Sequence, residues 1–395
     1  MHCFRNIHIR ISASLLIIMA ISLGGCARIA APEGWSSGLI DNETLYIGTY
    51  EGELKAIDIG DSDAGGLKAG SYLGDQIWSF DLKEQGRNSD SPDKTAIYGT
   101  PVISGNKLYV GSYDGYMYVL SLGGDLLWEE QVGRGDRIVG GPTVADGIVL
   151  IGSSDGNLYA LATDDLAPLW VFPTGNEVWA TPVVSDGVVY FGSQDHSVYA
   201  VDLEQGTKIW EFRTDGAITA KVTISNDRVY IGSFDSIFYS LDADTGEEMA
   251  RFEGANGWYW GGAVSDDTLV YAPSLDGNLY ALELDTLQPA WIAPLETDGP
   301  IIGSPVIVGN LIAVPSRDGG VYLARLSDGR FEDQCGIDAP LRASLSVIHD
   351  TIYLSVDSSV RQLFVNSTGN FAEGWIHRTN LESNEDPVTD RWRCG

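Results

Sequence analysis

The sequence predicts an all-β chain built from eight similar four-stranded antiparallel units, and three observations carry that expectation. First, a short segment recurs as Thr100-Pro101-Val102-Ile103, Gly141-Pro142-Thr143-Val144, Thr181-Pro182-Val183-Val184 and Ser304-Pro305-Val306-Ile307. Second, each copy precedes an apolar run ending in a small residue, so that Gly111, Gly152, Gly192 and Gly232 step along the chain by 41, 40 and 40 residues. Third, one unit reads strand, turn, strand: in residues 180–215 the apolar runs 181–185, 188–192, 198–201 and 208–212 are separated by Asp186-Gly187, Gln194-Asp195-His196 and Gln205-Gly206. Asp-Gly suits such hairpins because glycine takes positive φ without a Cβ clash. Four antiparallel strands repeated at this period make one blade of a β-propeller.

In chain order, residues 1–25 place Arg5 and Arg10 ahead of an apolar run from Ile11 to Leu23 and the small residues Gly24 and Gly25. That is the layout of a signal peptide, too short for a comfortable membrane span. Cys26, directly after the small residues, makes the junction resemble the bacterial lipoprotein signal, which implies lipid attachment at Cys26 and a tether over 26–34. An ordinary secretory peptide and an uncleaved anchor are the alternatives, and all three place the folded part outside the cytoplasm. The propeller is expected over residues 35–379, where the second-strand landmarks Gly48, Gly111, Gly152, Gly192, Gly232, Pro273, Pro315 and Leu354 mark eight blades. Polar inserts at 60–70 and 83–94, around a fourth strand at 76–81, account for the long first step; loops at blade edges absorb such insertions at little cost. Residues 380–395 form a C-terminal tail.

Fourth strands carry Trp78, Trp128, Trp170, Trp210, Trp291 and Trp375, with Ala250 and Phe331 in the equivalent places of blades 5 and 7. A ring of that size wedged between neighbouring sheets removes roughly 150–250 Å² from water, so these tryptophans are expected to dock blades. Of four cysteines, Cys3 lies in the leader and Cys26 is the lipid candidate. Cys335 and Cys394 remain as the pair free to form a disulfide in an oxidising compartment, with two free thiols as the alternative.

The 24 Lys+Arg against 55 Asp+Glu, a net charge of −31, leave no basic stripe for nucleic acid. Such a surface also repels anionic headgroups, so membrane attachment would come from the lipid on Cys26.

Units such as Thr181-Pro182-Val183-Val184, Tyr190-Phe191-Gly192-Ser193, Tyr199-Ala200-Val201-Asp202 and Gly206-Thr207-Lys208-Ile209-Trp210 resemble the pyrroloquinoline-quinone-type (PQQ-like) β-propeller repeat. Leu158-Tyr159-Ala160-Leu161 and Leu279-Tyr280-Ala281-Leu282 repeat its third strand. The resemblance implies that fold over nearly the whole mature chain. It leaves activity open, because the family includes quinoprotein dehydrogenases, the lipoprotein of the outer-membrane barrel-assembly machinery and uncharacterised envelope proteins. For the enzymes it implies an adjacent Cys–Cys disulfide over the quinone, a calcium or lanthanide held by Glu, Asn and Asp, and an Asp base. This chain has no adjacent cysteines, so no cofactor is expected; a quinone-dependent dehydrogenase or a degenerate cofactor-binding sensor is the alternative.

Other chemistry finds little support. His196, His349 and His377 fall in separate blades, which disfavours a catalytic triad or zinc cluster. Asp61-Ser62-Asp63-Ala64-Gly65 starts like a calcium loop but has Tyr72 at the twelfth position, where glutamate belongs. Asp155-Gly156, Asp276-Gly277 and Asp318-Gly319 recur at one blade turn and read as hairpin residues. No catalytic or metal-binding residue is therefore expected.

The segments leading from each fourth strand to the next innermost strand reach the mouth of the central channel. They hold Tyr98, Arg137, Trp179, Trp258, Tyr259, Trp260 and Arg342, with Lys221 just inside a first strand. Aromatic and arginine side chains are enriched at interfaces, so a binding face for a peptide or partner protein is expected there; rings that plug and pack the channel are the alternative. The expectation is a monomeric, non-enzymatic binding propeller or scaffold of the cell envelope, lipid-anchored to the outer face of the cytoplasmic membrane or the periplasmic side of the outer membrane. Assistance to envelope-protein assembly is one version of that role.

Overall fold

Asp146-Gly147 and Asp186-Gly187 set the local geometry, since both residues of each pair take positive φ (47° and 78°, 49° and 76°). This is the mirror-image turn whose twist matches that of the strands it joins. In the computed structural model the described residues are 36–59, 76–85, 95–337, 339–356, 359–366, 368–378 and 393–394. They form eight antiparallel blades, each paired in chain order, with first strands starting at Leu39, Val102, Thr143, Val183, Thr223, Val264, Val306 and Ser346 for blades 1 to 8. The eight sheets make an eight-bladed β-propeller. The expected signal segment 1–25, the expected lipid site Cys26 with its tether, the blade 1 inserts around Asp61 and beyond Gln85, and residues 379–392 lie outside the described residues.

Blade 4 shows the pattern. Its strands are Val183–Ser185, Val188–Ser193, Ser197–Asp202 and Lys208–Arg213, of which the first is half-open throughout, the middle two are buried almost throughout and the fourth is largely exposed. First strands line the channel, middle strands are covered on both faces by neighbouring blades, and fourth strands meet solvent at the edge. The core accordingly lies in the seams. Leu150, Leu158 and Phe172 of blade 3 pack on Val189, Phe191 and Tyr199 of blade 4, and Leu45, Ile47 and Ile57 of blade 1 pack on Tyr353 and Val360 of blade 8, closing the ring. Ser346 Oγ donates to the Gly38 carbonyl across that closure.

Two devices dock the seams. In the first, a tryptophan donates its indole N–H to the backbone carbonyl just past the third strand of the next blade: Trp78 to Leu122, Trp170 to Leu203 and Trp291 to Leu326 at 2.9 Å, and Trp210 to Ala243 at 2.8 Å. Trp78, Trp170 and Trp210 lie on fourth strands as expected, whereas Trp291 stands in the bend before the short fourth strand Leu295–Glu296. The rings lie on Gly124, Gly206, Gly329 and Gly246, all at positive φ, where a Cβ would strike the indole. In the second, at seams 2/3 and 5/6, a leucine holds the glycine's place: Leu166 and Leu287 keep positive φ (59° and 52°) and are themselves buried. The carbonyls they flank are taken by Lys107 Nζ and Tyr109 (Thr163 O, 3.2 and 3.0 Å), or by Tyr230 (Leu284 O, 2.9 Å) with Arg228 on Asp285 O (2.8 Å). Blade 5 matches this with Ala250, whereas Trp128 of blade 2 is left 38% exposed under the Lys107 ammonium, 4.5 Å from its ring. The docking expectation thus holds for Trp78, Trp170, Trp210 and Trp291 and fails for Trp128; the Trp375 side chain is outside the described ones.

Phe331 does not hold the docking place of blade 7. It pairs with Ala324, the partner equivalent to Val201 opposite Lys208, while Asp333 opposite Leu323 stands where Trp210 stands opposite Ala200. Asp333 docks by accepting the backbone N–H of Phe371 in blade 8 at 2.8 Å. Arg393–Cys394 adds a fifth strand to the outer edge of this blade, setting Cys394 opposite Cys335. The two cysteines are joined by a disulfide, with Cα atoms 4.1 Å apart.

Candidate functional site at the channel mouth

Each segment between blades is a zipper with a fixed first pair of bonds. The carbonyl of its first residue accepts an N–H from a turn of the blade it enters: Ser154 to Arg137 at 2.9 Å, Gln194 to Glu177 at 2.9 Å, Phe234 to Ala217 at 3.0 Å and Leu275 to Trp258 at 2.8 Å. Its second residue donates back to the blade it leaves, as Val178 does to Ser153 at 3.1 Å and Ile218 to Ser193 at 3.1 Å. Because the backbone is extended, side chains alternate. The second places (Ile97, Ile138, Val178, Ile218, Tyr259) are buried on the landmark glycines, where a Cβ on Gly48, Gly111, Gly152, Gly192 or Gly232 would collide with them. That close approach explains the glycine at those landmarks.

The candidate residues therefore divide. Arg137 and Trp258 hold first places, and Tyr98, Trp179, Trp260 and Arg342 hold third places; these six share the end of the ring that carries the segments. Tyr259 holds a second place and is core, 1% exposed, with no hydrogen-bond partner for its hydroxyl among the described residues. Burial drives its phenol pKa well up. Trp179 is buried too and donates its indole N–H to Ser154 Oγ at 2.9 Å. Lys221 holds a fifth place, where neighbouring segments have Thr181 and Gly262. Its surface is open, yet desolvation draws its ammonium below the ordinary lysine range. Both facts suit a side chain in a narrow bore, which water reaches along the axis while protein crowds it from the sides.

The rim has two arcs. On blades 2 to 4, Arg137 donates to Tyr113 Oη at 3.2 Å and to Glu177 Oε1 at 3.1 Å, and Gln194 donates to Glu177 Oε2 at 3.1 Å. Tyr98 packs edge-on to Tyr113 with ring centroids 5.2 Å apart. The bond to Tyr113, with the nearby carboxylate of Glu177, raises the Arg137 pKa further, so this arc stays cationic at its centre. On blades 5 and 6, Phe234 is stacked between Trp258 (4.9 Å, 11°) and Trp260 (5.4 Å, 27°). Tyr113, Glu177, Gln194 and Phe234 were not among the expected residues. Three of them follow the recurrent Gly-Ser of the second strand, as in Gly111-Ser112-Tyr113 and Gly232-Ser233-Phe234, and variation directly after that repeat is the signal that marks them.

The acidic residues of the same turns are already engaged. Asp195 accepts the Tyr199 hydroxyl at 2.7 Å and the backbone N–H groups of Ser197 at 3.0 Å and Gly175 at 2.7 Å. Asp235 and Asp276 repeat this with Tyr239 and Tyr280 at 2.9 and 2.8 Å. Such carboxylates tie turn, strand and incoming segment together, and among the described residues no three His, Cys, Asp or Glu gather as metal ligands would. His196 follows its second strand and His349 precedes its own, both on turns at positive φ (73° and 52°) and in different blades. The His377 side chain is outside the described ones.

The fold recurs in solved structures of low sequence identity. A computationally designed protein, Ika8, superposes with a TM-score of 0.70 at 17% identity, covering 84% of this chain and 96% of that one. BamB from Moraxella catarrhalis gives 0.64 at 19%, covering 81% and 91%. Quinohemoprotein alcohol dehydrogenase from Comamonas testosteroni gives 0.67 at 14%, covering 82% and 71%. At these identities the likeness is one of fold. No curated protein matches the sequence. The family model described as outer membrane protein assembly factor BamB matches residues 65–293 and 233–332, well over half of the sequence. Eight blades of the predicted repeat and that match together place the chain in the PQQ-like β-propeller family which the model describes.

Proposed function

We propose that this chain is a non-enzymatic scaffold of the cell envelope that binds a protein or peptide partner on the rim of inter-blade segments. In this reading residues 1–25 are removed, Cys26 carries the lipid, and the partner is an envelope protein whose assembly the propeller assists. One observation carries the proposal. The packing of a seam fixes only the second place of each segment, yet the flanking places of the rim carry a stacked Trp258–Phe234–Trp260 arc beside the Tyr113–Arg137–Glu177 network. Flat aromatic area and a paired guanidinium are what interface hot spots are made of. Membership of a family whose model is described as an assembly factor supports the same reading.

A quinone-dependent dehydrogenase is the competing reading, and the donor set speaks against it. The chain has no adjacent cysteine pair, and the recurrent turn aspartates already hold tyrosine and backbone donors. The test is capture from the organism's own membranes by the native lipidated protein, compared with a Trp258→Ala, Trp260→Ala, Arg137→Ala variant. Loss of a specific co-purifying protein by a variant with unchanged circular dichroism supports the proposal; undiminished capture overturns it. Quinone absorbance retained after incubation with PQQ and calcium and then desalting would favour the enzyme instead.

A further inference from the structure

The seam between blades 2 and 3 differs from the others at its outer end. Leu166 already fills the slot, so Trp128 is the one described fourth-strand tryptophan that finds no place in its seam. Register fixes where it goes: Trp128 lies opposite Val119, and Val171 of blade 3 lies opposite Tyr159. Val119 and Tyr159 both belong to the 2/3 seam cluster, so Trp128 and Val171 flank the same groove from its two walls. The place opposite the third-strand tyrosine is Glu129, Glu211, Arg251 or Gln334 in blades 2, 4, 5 and 7, but the apolar Val171 in blade 3. Leu169, 51% exposed, repeats the exposed apolar residue that other fourth strands carry as Ile77, Leu127, Ile209 and Met249, but Trp128 and Val171, 38% and 46% exposed, add to it a second apolar pair across this groove. Exposed Glu130, Asp164 and Asp165 stand around it, against one cation, Lys107, which lies over the Trp128 ring and 3.9 Å from Asp164, so carboxylates remain in excess.

We propose that this groove is a second interaction surface, beyond the rim, for an extended segment of another protein that presents apolar side chains between basic ones. The charge of the surroundings selects that occupant. A second copy of this chain would bring the same carboxylates against one another, on a molecule of net charge −31. The fifth strand Arg393–Cys394 on blade 7 shows how a fourth-strand edge takes an extended segment. Pro168 and Pro173 blunt the blade 3 edge, whereas Leu126–Gln131 of blade 2 has no proline, so the incoming segment pairs with blade 2 and reaches its apolar side chains across to blade 3.

The test is fluorescence anisotropy of the purified full chain with a short labelled peptide alternating lysine with valine and tryptophan. Binding that weakens with salt, falls about tenfold or more in Leu169→Glu, Val171→Glu, and is unchanged in Ile209→Glu at the corresponding edge of blade 4 supports the proposal. No binding by the wild-type chain, equal binding of the glutamate-for-lysine peptide, or equal loss in Ile209→Glu overturns it. So does a self-associated species in sedimentation that Val171→Glu dissolves, which would make the occupant a second copy. Should the double variant unfold, Val171→Thr and the charge reversal Glu130→Lys give the same readout with smaller changes at the groove.

Discussion

Ala217-Ile218-Thr219 and Trp258-Tyr259-Trp260 occupy the same three places one blade apart. In both, the middle residue is buried against a landmark glycine, Gly192 in one and Gly232 in the other, and its N–H donates to the blade behind. The flanking residues share nothing: an alanine and a threonine in one segment, two indoles stacked on Phe234 in the other. Seam packing thus constrains one column of the ring and leaves the columns beside it free to differ. What is individual to this propeller stands in those columns, and the binding proposal rests there.

The comparison breaks most readily at its middle place. Tyr259→Ala removes a fully buried ring and is expected to cost about 3–5 kcal/mol, read from the urea midpoint; a neutral result would mean the place is not core. Tyr259→Phe sharpens the point. The hydroxyl has no hydrogen-bond partner among the described residues, so its removal is expected to leave stability unchanged or raise it by about 1 kcal/mol.

The next largest contrast lies between two tryptophans of the fourth strands. Trp210→Ala, in a docked seam, is expected to cost about 3–5 kcal/mol, and Trp128→Ala, outside its seam, less than about 1 kcal/mol. Comparable losses would contradict the two docking devices.

Alkaline pH tests the turns that hold the segments. Burial and then the bond to a turn aspartate raise the pKa of Tyr159, Tyr199, Tyr239, Tyr280 and Tyr322 in the folded chain. Burial with nearby aspartates pushes Tyr190 up to about 12. Raised phenol values mean that the unfolded chain gives up these protons first. The stability they contribute is whole below the ordinary tyrosine range near pH 10 and is lost as pH rises through the folded values. Tyrosinate absorbance should therefore rise in step with loss of β-sheet signal, whereas tyrosines titrating near pH 10 in a folded chain would refute the assignment. The smallest expected effect on stability belongs to Trp258→Ala, within about 1 kcal/mol, with a change in near-ultraviolet circular dichroism from the broken stack.

The eight blades were legible because hairpin turns and strand ends repeat at a fixed spacing, and because the landmark glycine has a packing cause that recurs with it. Individual places were less so. Trp258, Tyr259 and Trp260 read as one aromatic patch, although the period of an extended chain already puts the middle ring on the opposite side from its neighbours. Phe331 offers a ring near the docking place, while counting four residues from the turn glycine, as from Gly206 to Trp210, leads from Gly329 to Asp333. Trp128 carried the docking residue type, and only Leu166 in place of the turn glycine, one blade further on, signals that its slot is filled. Phe234 and Tyr113 are harder to read, because their partners lie a segment away in sequence and meet them only once the blades are zipped together.

The most direct measurement places a photo-crosslinking residue at Ala217, in a first place beside the aromatic arc, and in parallel at Ile209 on the outer edge, with the full chain produced in its own organism. A discrete protein adduct from Ala217 that is absent from Ile209 and disappears when Trp258 and Trp260 are replaced by alanine is the predicted result. No adduct at Ala217, or one that persists without the two indoles, would contradict it.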